Sequence, residues 1–204
     1  MSICPDAPAL SVAATTLLRP DAADLTGSAN GRVLVQAYID GPICFYQISA
    51  WDGELVAGWL AERVLGNPEP KGPATVVRLR RDDRQHDASA RLVREFGISG
   101  TASVEFVIDR ASGLPYLLEI NRRVSPGWHQ GGLIGCDGCA ALHAALTGAP
   151  RPPATLPTDE MTTLAHFPQE WLRDPNSPYL WNHRVDVPWD EPELLKAMLA
   201  LRDH

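Results

Sequence analysis

The stretch that most constrains the fold is a β-hairpin predicted over Thr101–Arg123. Apolar and polar residues alternate along its first arm, which places Val104 and Phe106 on one face and Glu105 on the other. The second arm alternates in the same way, and Gly113 suits the short loop between the two arms. The chain is therefore expected to carry charged side chains on one face of a sheet whose other face is apolar.

A loop over residues 110–114 sets the register of this hairpin. The register matters because a slip of one residue would move every side chain of one arm to the other face. The register pairs three residues of each arm, namely Val107 with Leu117, Glu105 with Glu119, and Ser103 with Asn121. Directly opposed carboxylates repel each other in a sheet, so something positive is expected between them. Two carboxylates and an amide oxygen suit a hard divalent cation, above all Mg²⁺. The alternative for any two such glutamates is that they are solvent-exposed residues without a function. The sequence pattern of the two arms together, with an apolar opposite face, favours a metal site.

Two strings in this hairpin resemble the metal-binding hairpin of ATP-grasp ligases. They are Val-Glu-Phe at 104–106 and Leu-Glu-Ile-Asn-Arg-Arg at 118–123. The resemblance implies that Glu105, Glu119 and Asn121 hold Mg²⁺ bridging the phosphates of ATP. It also implies that Arg123 contacts phosphate or an acyl-phosphate as it forms. The family usually has proline between the asparagine and the arginine, and this chain has Arg122 there.

A second segment extends the resemblance. Residues 32–41 read as a buried strand, and Asp52-Gly53 between two apolar runs predicts a hairpin turn. The family has a similar hinge strand whose backbone bonds the adenine edge. The match implies that four residues face adenine, namely Gln36, Ala37, Tyr38 and Ile39. An ordinary antiparallel strand pair explains the same residues equally well.

A basic stretch rich in proline and glycine follows these strands. Cations clustered on a cleft can hold a carboxylate or triphosphate oxygens through charge-assisted hydrogen bonds. Arg63 and Lys71 are the residues we expect in that role, because they follow the central strand, although a solvated face is the simpler alternative for each.

Composition and charge narrow the classes of function. The chain has 204 residues, 45% hydrophobic and 21% charged, which is typical of a globular domain. The net charge is −7 and no basic cluster has the pattern of a nucleic-acid binding surface, which argues against a nucleic-acid partner. No apolar run is long enough for a membrane span and the N-terminus does not resemble a secretion signal, so we expect a cytoplasmic protein without a membrane partner.

The four cysteines are too few and too irregular for a secreted disulfide framework. Cys136 and Cys139 form a lone C-x-x-C, for which a zinc or redox module is the least favoured interpretation. The preferred interpretation is a helix that Asp137 caps and Gly148 ends.

The remaining segments are predicted from local signals. Residues 1–30 read as a lead-in with a short strand or helix near 10–18. Asp87 is expected to cap a helix that ends at Gly97, and residues 190–193 to start the last helix. The tryptophans and tyrosines between Trp171 and Trp189 are expected to pack the tail onto the main body.

Together these signals predict an α+β fold with a mainly antiparallel sheet and packed helices, equivalent to the second subdomain of an ATP-grasp enzyme. We expect a lead-in over 1–30, the ATP-grasp-like domain over 31–150, and a proline-rich linker with an aromatic extension over 151–204. The resemblance implies an ATP- and Mg²⁺-dependent ligase joining a small-molecule carboxylate to an amine or similar nucleophile. The lysine-bearing first half of the clamp is not found upstream, so a second polypeptide or a missing N-terminal half is an expected partner, and a homo-oligomer is a further option. The alternative function is a non-catalytic scaffold or a regulatory nucleotide-binding domain.

Overall fold

The computed structural model describes residues 3–18, 33–69, 72–80, 82–152 and 162–201, and it forms two compact units, Met1–Ile39 and Asp40–His204. The first unit contains helix α1 (Ala7–Leu17). This helix begins where the Asp6 carboxylate accepts a hydrogen bond of 2.8 Å from the backbone N–H of Ala9. Of the two elements expected near residues 10–18, the helix is therefore the one that forms.

The buried strand expected over residues 32–41 was a wrong prediction for the part that the structure describes. Residues 33–40 form no strand, and most of their side chains are exposed. The residues that follow Ile39 bond to the β-hairpin through backbone groups, since the carbonyl of Asp40 accepts from the N–H of Arg110 and the carbonyl of Pro42 accepts from the N–H of Ile108. An apolar run becomes a strand only where a neighbouring strand satisfies its backbone groups, and sequence periodicity does not report that neighbour.

A seven-stranded sheet dominates the second unit. Its strands are β1 (Ile43–Trp51), β2 (Glu54–Gly66), β3 (Ala74–Arg80), β4 (Gly100–Ile108), β5 (Pro115–Asn121), β6 (Thr162–Ala165) and β7 (Arg184–Val185). Their order is β5-β4-β1-β2-β3-β6-β7, and every neighbouring pair is antiparallel except β6 and β7. The predicted α+β class with a mainly antiparallel sheet is confirmed.

The turn between β1 and β2 forms at Asp52-Gly53 as predicted. Both residues adopt left-handed backbone conformations, with φ of 49° at Asp52 and 75° at Gly53. Two consecutive residues with positive φ match the twist of an antiparallel hairpin, which is why Asp-Gly is favoured there. The turn makes β1 and β2 neighbours in the sheet, where β1 lies between β2 and β4.

The part of the chain that the structure describes contains six α-helices. They are α1, α2 (Asp83–Glu95), α3 (Gly138–Thr147), α4 (Gln169–Arg173), α5 (Pro178–Asn182) and α6 (Pro192–Ala200), together with a 3₁₀ helix over Trp128–Ile134. The helix expected from Asp87 is present but starts earlier. Its N-cap is Asp82, whose carboxylate accepts from the N–H of Gln85. The predicted caps of α3 are confirmed, because Asp137 accepts from the N–H of Ala140 and Gly148 has a φ of 69°.

Each face of the sheet has its own hydrophobic core. On one face, residues of β1 and β4 pack with Val93 of α2 and with Ile98. On the opposite face, Trp59 of β2 packs with Trp128 and Ile134 of the 3₁₀ helix. The two rings of Trp59 and Trp128 are 5.9 Å apart between centroids. Because alternate residues of a strand point to opposite faces, β1 serves both cores at once.

The tail joins the sheet through β6, which pairs with β3. The expectation that its aromatic residues pack onto the main body was wrong for Trp181 and Trp189, which are 76% and 78% exposed. Within the tail, the rings of Trp171 and Phe167 contact each other at a tilt, with 5.8 Å between ring centroids. Helix α6 begins at the expected place, but no side chain caps its N-terminus, so only the helix and not its capping bond was predicted correctly.

None of the helices in the described ranges has both the length and the apolar content needed to cross a membrane.

Candidate functional site

The β4–β5 hairpin forms with the two glutamates opposed. Glu105 pairs with Glu119 across the strands, and Ser103 pairs with Asn121, as the sequence predicts. On its other side Glu105 lies opposite Phe45 of β1, so its side chain shares a sheet face with the 3₁₀ helix rather than with α2. Glu105 is half-buried, Asn121 is half-buried and Glu119 is exposed.

The rest of the predicted hairpin register was wrong. The register shifts between Glu105 and Phe106 of β4, where Leu118 of β5 is left without a partner in a β-bulge. Beyond the bulge, Phe106 pairs with Leu117 and Val107 with Tyr116. The extra residue on β5 bends that strand, and it falls beside the opposed glutamates. Loop length alone does not indicate a bulge, so counting from the turn predicted Leu117 as the partner of Val107, one residue away from the observed partner Tyr116.

The environment of Glu105 favours its protonated form. Burial raises the pKa of Glu105 to about 7, together with the negative charge of Glu119 and a hydrogen bond between the two carboxyl groups. The positive charge of Arg123 opposes part of this rise. Two carboxyl groups that share a proton form a site where a cation can take the place of that proton.

The donor set suits Mg²⁺. Glu105 and Glu119 offer carboxylate oxygens on adjacent strands, and Asn121 lies two residues beyond Glu119 on the same strand face. The Asn121 amide nitrogen donates a 2.6 Å hydrogen bond to the Glu119 carboxylate, which holds the two side chains together. Only hard oxygen ligands come together here, which is the chemistry that Mg²⁺ requires. These three residues fit the predicted metal.

The loop after β5 is fastened to the sheet by a polar pair. The Ser125 hydroxyl donates a 2.7 Å hydrogen bond to the side-chain oxygen of Gln47 on β1. Gln47 is only 5% exposed and lies beside Ser103 in the neighbouring strand. The exposed residues Arg122 and Arg123 lie in the same loop, and the charge of Arg123 acts on Glu105 by lowering its pKa.

The sequence reasoning did not identify Gln47 and Ser125 as supports of the site. The available signal was the position of Gln47, a polar residue on the same strand face as Phe45 within an apolar run. Its partner Ser125 lies 78 residues away, and no local pattern reports so distant a bond.

The other predicted site residues fall in different parts of the chain. Arg63 lies on β2, two strands from β4, and pairs with Glu69 at 3.1 Å with only 11% of its side chain exposed. Lys71 lies outside the described residues. The remaining four, Gln36, Ala37, Tyr38 and Ile39, belong to the first unit, where the first three are exposed.

The two cysteines of the C-x-x-C sequence occupy different environments. Cys136 is buried and Cys139 is exposed, and neither forms a disulfide. Burial raises the pKa of the Cys136 thiol, and its sulfur lies 3.7 Å from the carbonyl oxygen of Gly58. A buried thiol with a raised pKa is a poor nucleophile and metal ligand, so this pair gives no support to a redox module.

Comparison with known families gives one match. Residues 70–127 match the family described as the carbamoyl-phosphate synthase L chain, ATP-binding domain. The matched range includes the whole β4–β5 hairpin. A comparison with curated protein sequences gave no significant match.

Comparison with solved structures shows a shared fold. The biotin carboxylase domain of a thermophilic 2-oxoglutarate carboxylase bound to bicarbonate has a TM-score of 0.57 at 16% identity, over 79% of this chain and 38% of its own. The same domain from Hydrogenobacter thermophilus, with MgADP and bicarbonate, has a TM-score of 0.57 at 15% identity, over 76% and 36%. The biotin carboxylase of Campylobacter jejuni in complex with β-γ-ATP has a TM-score of 0.54 at 15% identity, over 76% and 35%. The chain thus spans little more than a third of these neighbours.

Proposed function

We infer from its ATP-grasp fold, supported by the family match at residues 70–127 and by the biotin carboxylase neighbours, that this chain is the metal-bearing part of an ATP-dependent ligase. The opposed pair of Glu105 and Glu119 with Asn121 is the observation that carries the proposal. Valine at these positions would suit the sheet well, whereas two facing carboxylates make it less stable unless they bind something.

The residues in and after the hairpin have different proposed roles. Glu105, Glu119 and Asn121 hold Mg²⁺, which supplies charge neutralisation for the phosphates of ATP. Arg123 lies next to this carboxylate pair and offers a planar guanidinium that suits a carboxylate or phosphate. The Ser125–Gln47 hydrogen bond limits the freedom of the loop that carries Arg123. Such positioning counts in phosphoryl transfer, where enzymes act mainly by orientation and electrostatics.

The proposed substrates are a small carboxylate and a nucleophile. The carboxylate takes the γ-phosphoryl group of ATP, releasing ADP, and the resulting acyl-phosphate is attacked by an amine or similar nucleophile, releasing phosphate. Bicarbonate is the first carboxylate to test, because neighbours with the same fold contain it. Arg63, Lys71 and the backbone of Gln36, Ala37, Tyr38 and Ile39 remain proposed contacts to the substrate or nucleotide. The partner that completes the clamp is proposed to be a further segment or a second polypeptide.

The test is metal-dependent nucleotide binding. A non-hydrolysable ATP analogue is titrated calorimetrically into the protein with and without Mg²⁺, alongside Glu119→Gln and the surface control Glu54→Gln. Glu54 is exposed on β2 and pairs with Arg151, so the substitution Glu54→Gln does not alter the β4–β5 hairpin. Binding that requires Mg²⁺, weakens about tenfold or more in Glu119→Gln and is unchanged in Glu54→Gln is expected.

A second readout does not depend on nucleotide. Mn²⁺ in place of Mg²⁺ should broaden the NMR signals of Asn121 and its neighbours in the wild type and spare them in Glu119→Gln. Equal broadening in both proteins contradicts the metal assignment. Metal binding without nucleotide binding by the full-length protein would instead favour the alternative function, a non-catalytic scaffold.

A further inference from the structure

A second candidate site lies near the edge of the sheet opposite to the β4–β5 hairpin. It is a cavity of about 730 Å³ between the 3₁₀ helix, the ends of β6 and β7, and α6. Leu164, Phe167 and Met198 are among its apolar lining residues, and His129 and Asp186 are among its polar ones. Three strands, β1, β2 and β3, separate β6 from the metal-site strand β4. The cavity is therefore distinct from the site at Glu105, and its volume is typical of a small-molecule site.

The polar end of this cavity centres on Asp186. One oxygen of its carboxylate accepts a 2.5 Å hydrogen bond from the backbone N–H of Phe167. The other oxygen faces two imidazoles, with 3.4 Å to Nε2 of His129 and 4.0 Å to Nδ1 of His166. The contact with His129 has the length of a long hydrogen bond, and the contact with His166 is longer than a hydrogen bond. The Asp186 side chain is only 9% exposed, so this carboxylate is largely removed from water.

Neighbouring contacts determine the charge states of His129, His166 and Asp186. His129 has both ring nitrogens directed at acceptors, because its Nδ1 lies 3.1 Å from the carbonyl of Pro126, and the pKa of His129 is raised by its bond with Asp186. Burial lowers the pKa of His166, which therefore stays neutral. Burial alone would raise the pKa of Asp186, but its bonds with His129 and the Phe167 N–H outweigh that effect and lower it. The cavity thus contains a buried negative charge, and the His129 side chain that balances it is 56% exposed.

The lining favours one kind of ligand. Among the described residues, no group of three histidine, cysteine or acidic side chains has the spacing of a metal site, so an organic ligand fits better. The exposed rim residues Arg184 and Asp190 have opposite charges, and the other charged pair of the lining is the buried Asp186 with the more exposed His129, whose place a cationic ligand can take. An anion would meet that carboxylate in a poorly hydrated place, whereas a cation would pair with it. The apolar wall includes Leu194, which is 47% exposed and would be covered by an apolar ligand.

We propose that this cavity binds a small molecule with an apolar body and a protonated amine, whose ammonium group pairs with Asp186 while the apolar body lies against Leu164 and Met198. On binding, the ammonium takes the place of His129, which turns toward solvent. The proposal concerns a site separate from the proposed metal centre and does not depend on ATP binding.

The experiment compares three probes of similar shape, namely 2-phenylethylamine, 2-phenylethanol and 3-phenylpropionate. Each is titrated into the full chain at neutral pH without nucleotide, and binding is followed by NMR shifts of residues around the cavity. Saturable binding of the amine is expected, with the anionic probe about tenfold weaker or more. Saturable binding of the anion at equal or higher affinity, or no saturable binding of the amine, overturns the proposal.

Variants locate the site. Asp186→Asn should weaken amine binding about tenfold or more, whereas the surface control Asp40→Asn should leave it unchanged. Asp186 also holds the N–H of Phe167, so a second variant that leaves this bond intact is needed. Met198→Trp on α6 fills the cavity and should abolish binding of the amine. Glu119→Gln should bind the amine as well as the wild type does, which separates this test from that of the metal centre. Unchanged amine binding in Asp186→Asn and Met198→Trp contradicts the assigned site.

Discussion

At the scale of single residues, Glu105 is the most perturbed group of the candidate metal site. It is half-buried, it faces another carboxyl group, and its pKa is raised to about 7 from an ordinary value of 4.5. The folded protein therefore holds this proton more tightly than the unfolded chain does. By linkage, the stabilisation is complete below the ordinary pKa and is lost as the pH rises through the raised one.

The expected outcome is a stability that declines between about pH 4.5 and about pH 7 when no divalent cation is present. Glu105→Gln should remove this part of the pH dependence, because the amide has no proton to lose. Mg²⁺ should raise the melting temperature more at pH 8 than at pH 5, since protons compete with the metal at the lower pH. Thermal unfolding across pH measures all three, and a wild-type profile identical to that of Glu105→Gln would show that Glu105 does not titrate as proposed.

At the scale of elements, close contact between the 3₁₀ helix and the sheet depends on Gly131. A Cβ atom added to Gly131 would lie 2.3 Å from the carbonyl oxygen of Cys136 and 2.7 Å from a ring carbon of Trp59. The first neighbour is backbone and the second is a fully packed indole, so neither can move aside cheaply. This helix follows the loop that contains Ser125, and its residues His129 and Leu133 line the cavity at Asp186.

Gly131→Ala should therefore lower the free energy of unfolding by about 2 kcal/mol. The next residue offers a matched control, because a Cβ atom on Gly132 would meet no heavy atom within 4 Å. Gly132→Ala is expected to change stability by no more than about 0.5 kcal/mol. Urea unfolding of both variants makes the comparison, and equal costs would mean that the helix is not packed as closely as described.

At the scale of the whole molecule, the central strand β1 is the part most shielded from solvent. Cys44 on this strand is fully buried, and burial, followed by the charge of Glu62, raises the pKa of its thiol to about 12. Cys136 is buried on the opposite face of the sheet, whereas Cys139 is exposed. Thiol reagents react with an accessible thiolate, so the labelling rates of these three cysteines measure how well each position is shielded from solvent.

A disulfide reagent should modify Cys139 quickly in the native protein and modify Cys44 and Cys136 only as the molecule unfolds. The slow phase should disappear in denaturing urea, where every thiol is accessible. Peptide mapping by mass spectrometry after timed labelling identifies each site. Rapid native labelling of Cys44 would indicate that β1 opens without global unfolding.

Several parts of this protein could be predicted from local sequence. The alternation along β4 and β5 placed Glu105 opposite Glu119, the pair Asp52-Gly53 marked the first hairpin, and Asp137 marked the start of α3. Each of these signals operates between residues that are close in sequence, where backbone periodicity and turn chemistry dominate. The same hairpin motif carried the resemblance to ATP-grasp enzymes, which the family match and the shared fold confirm.

Tertiary structure alone decided the rest. The apolar run over 33–40 forms no strand, the bulge beside Glu105 shifts the register beyond it, and α2 starts at Asp82 instead of Asp87. The Ser125–Gln47 bond and the cluster of His129, His166 and Asp186 join residues far apart in sequence. Pairing of strands and meeting of distant side chains depend on which partners the fold brings within reach, and neither periodicity nor capping chemistry contains that information.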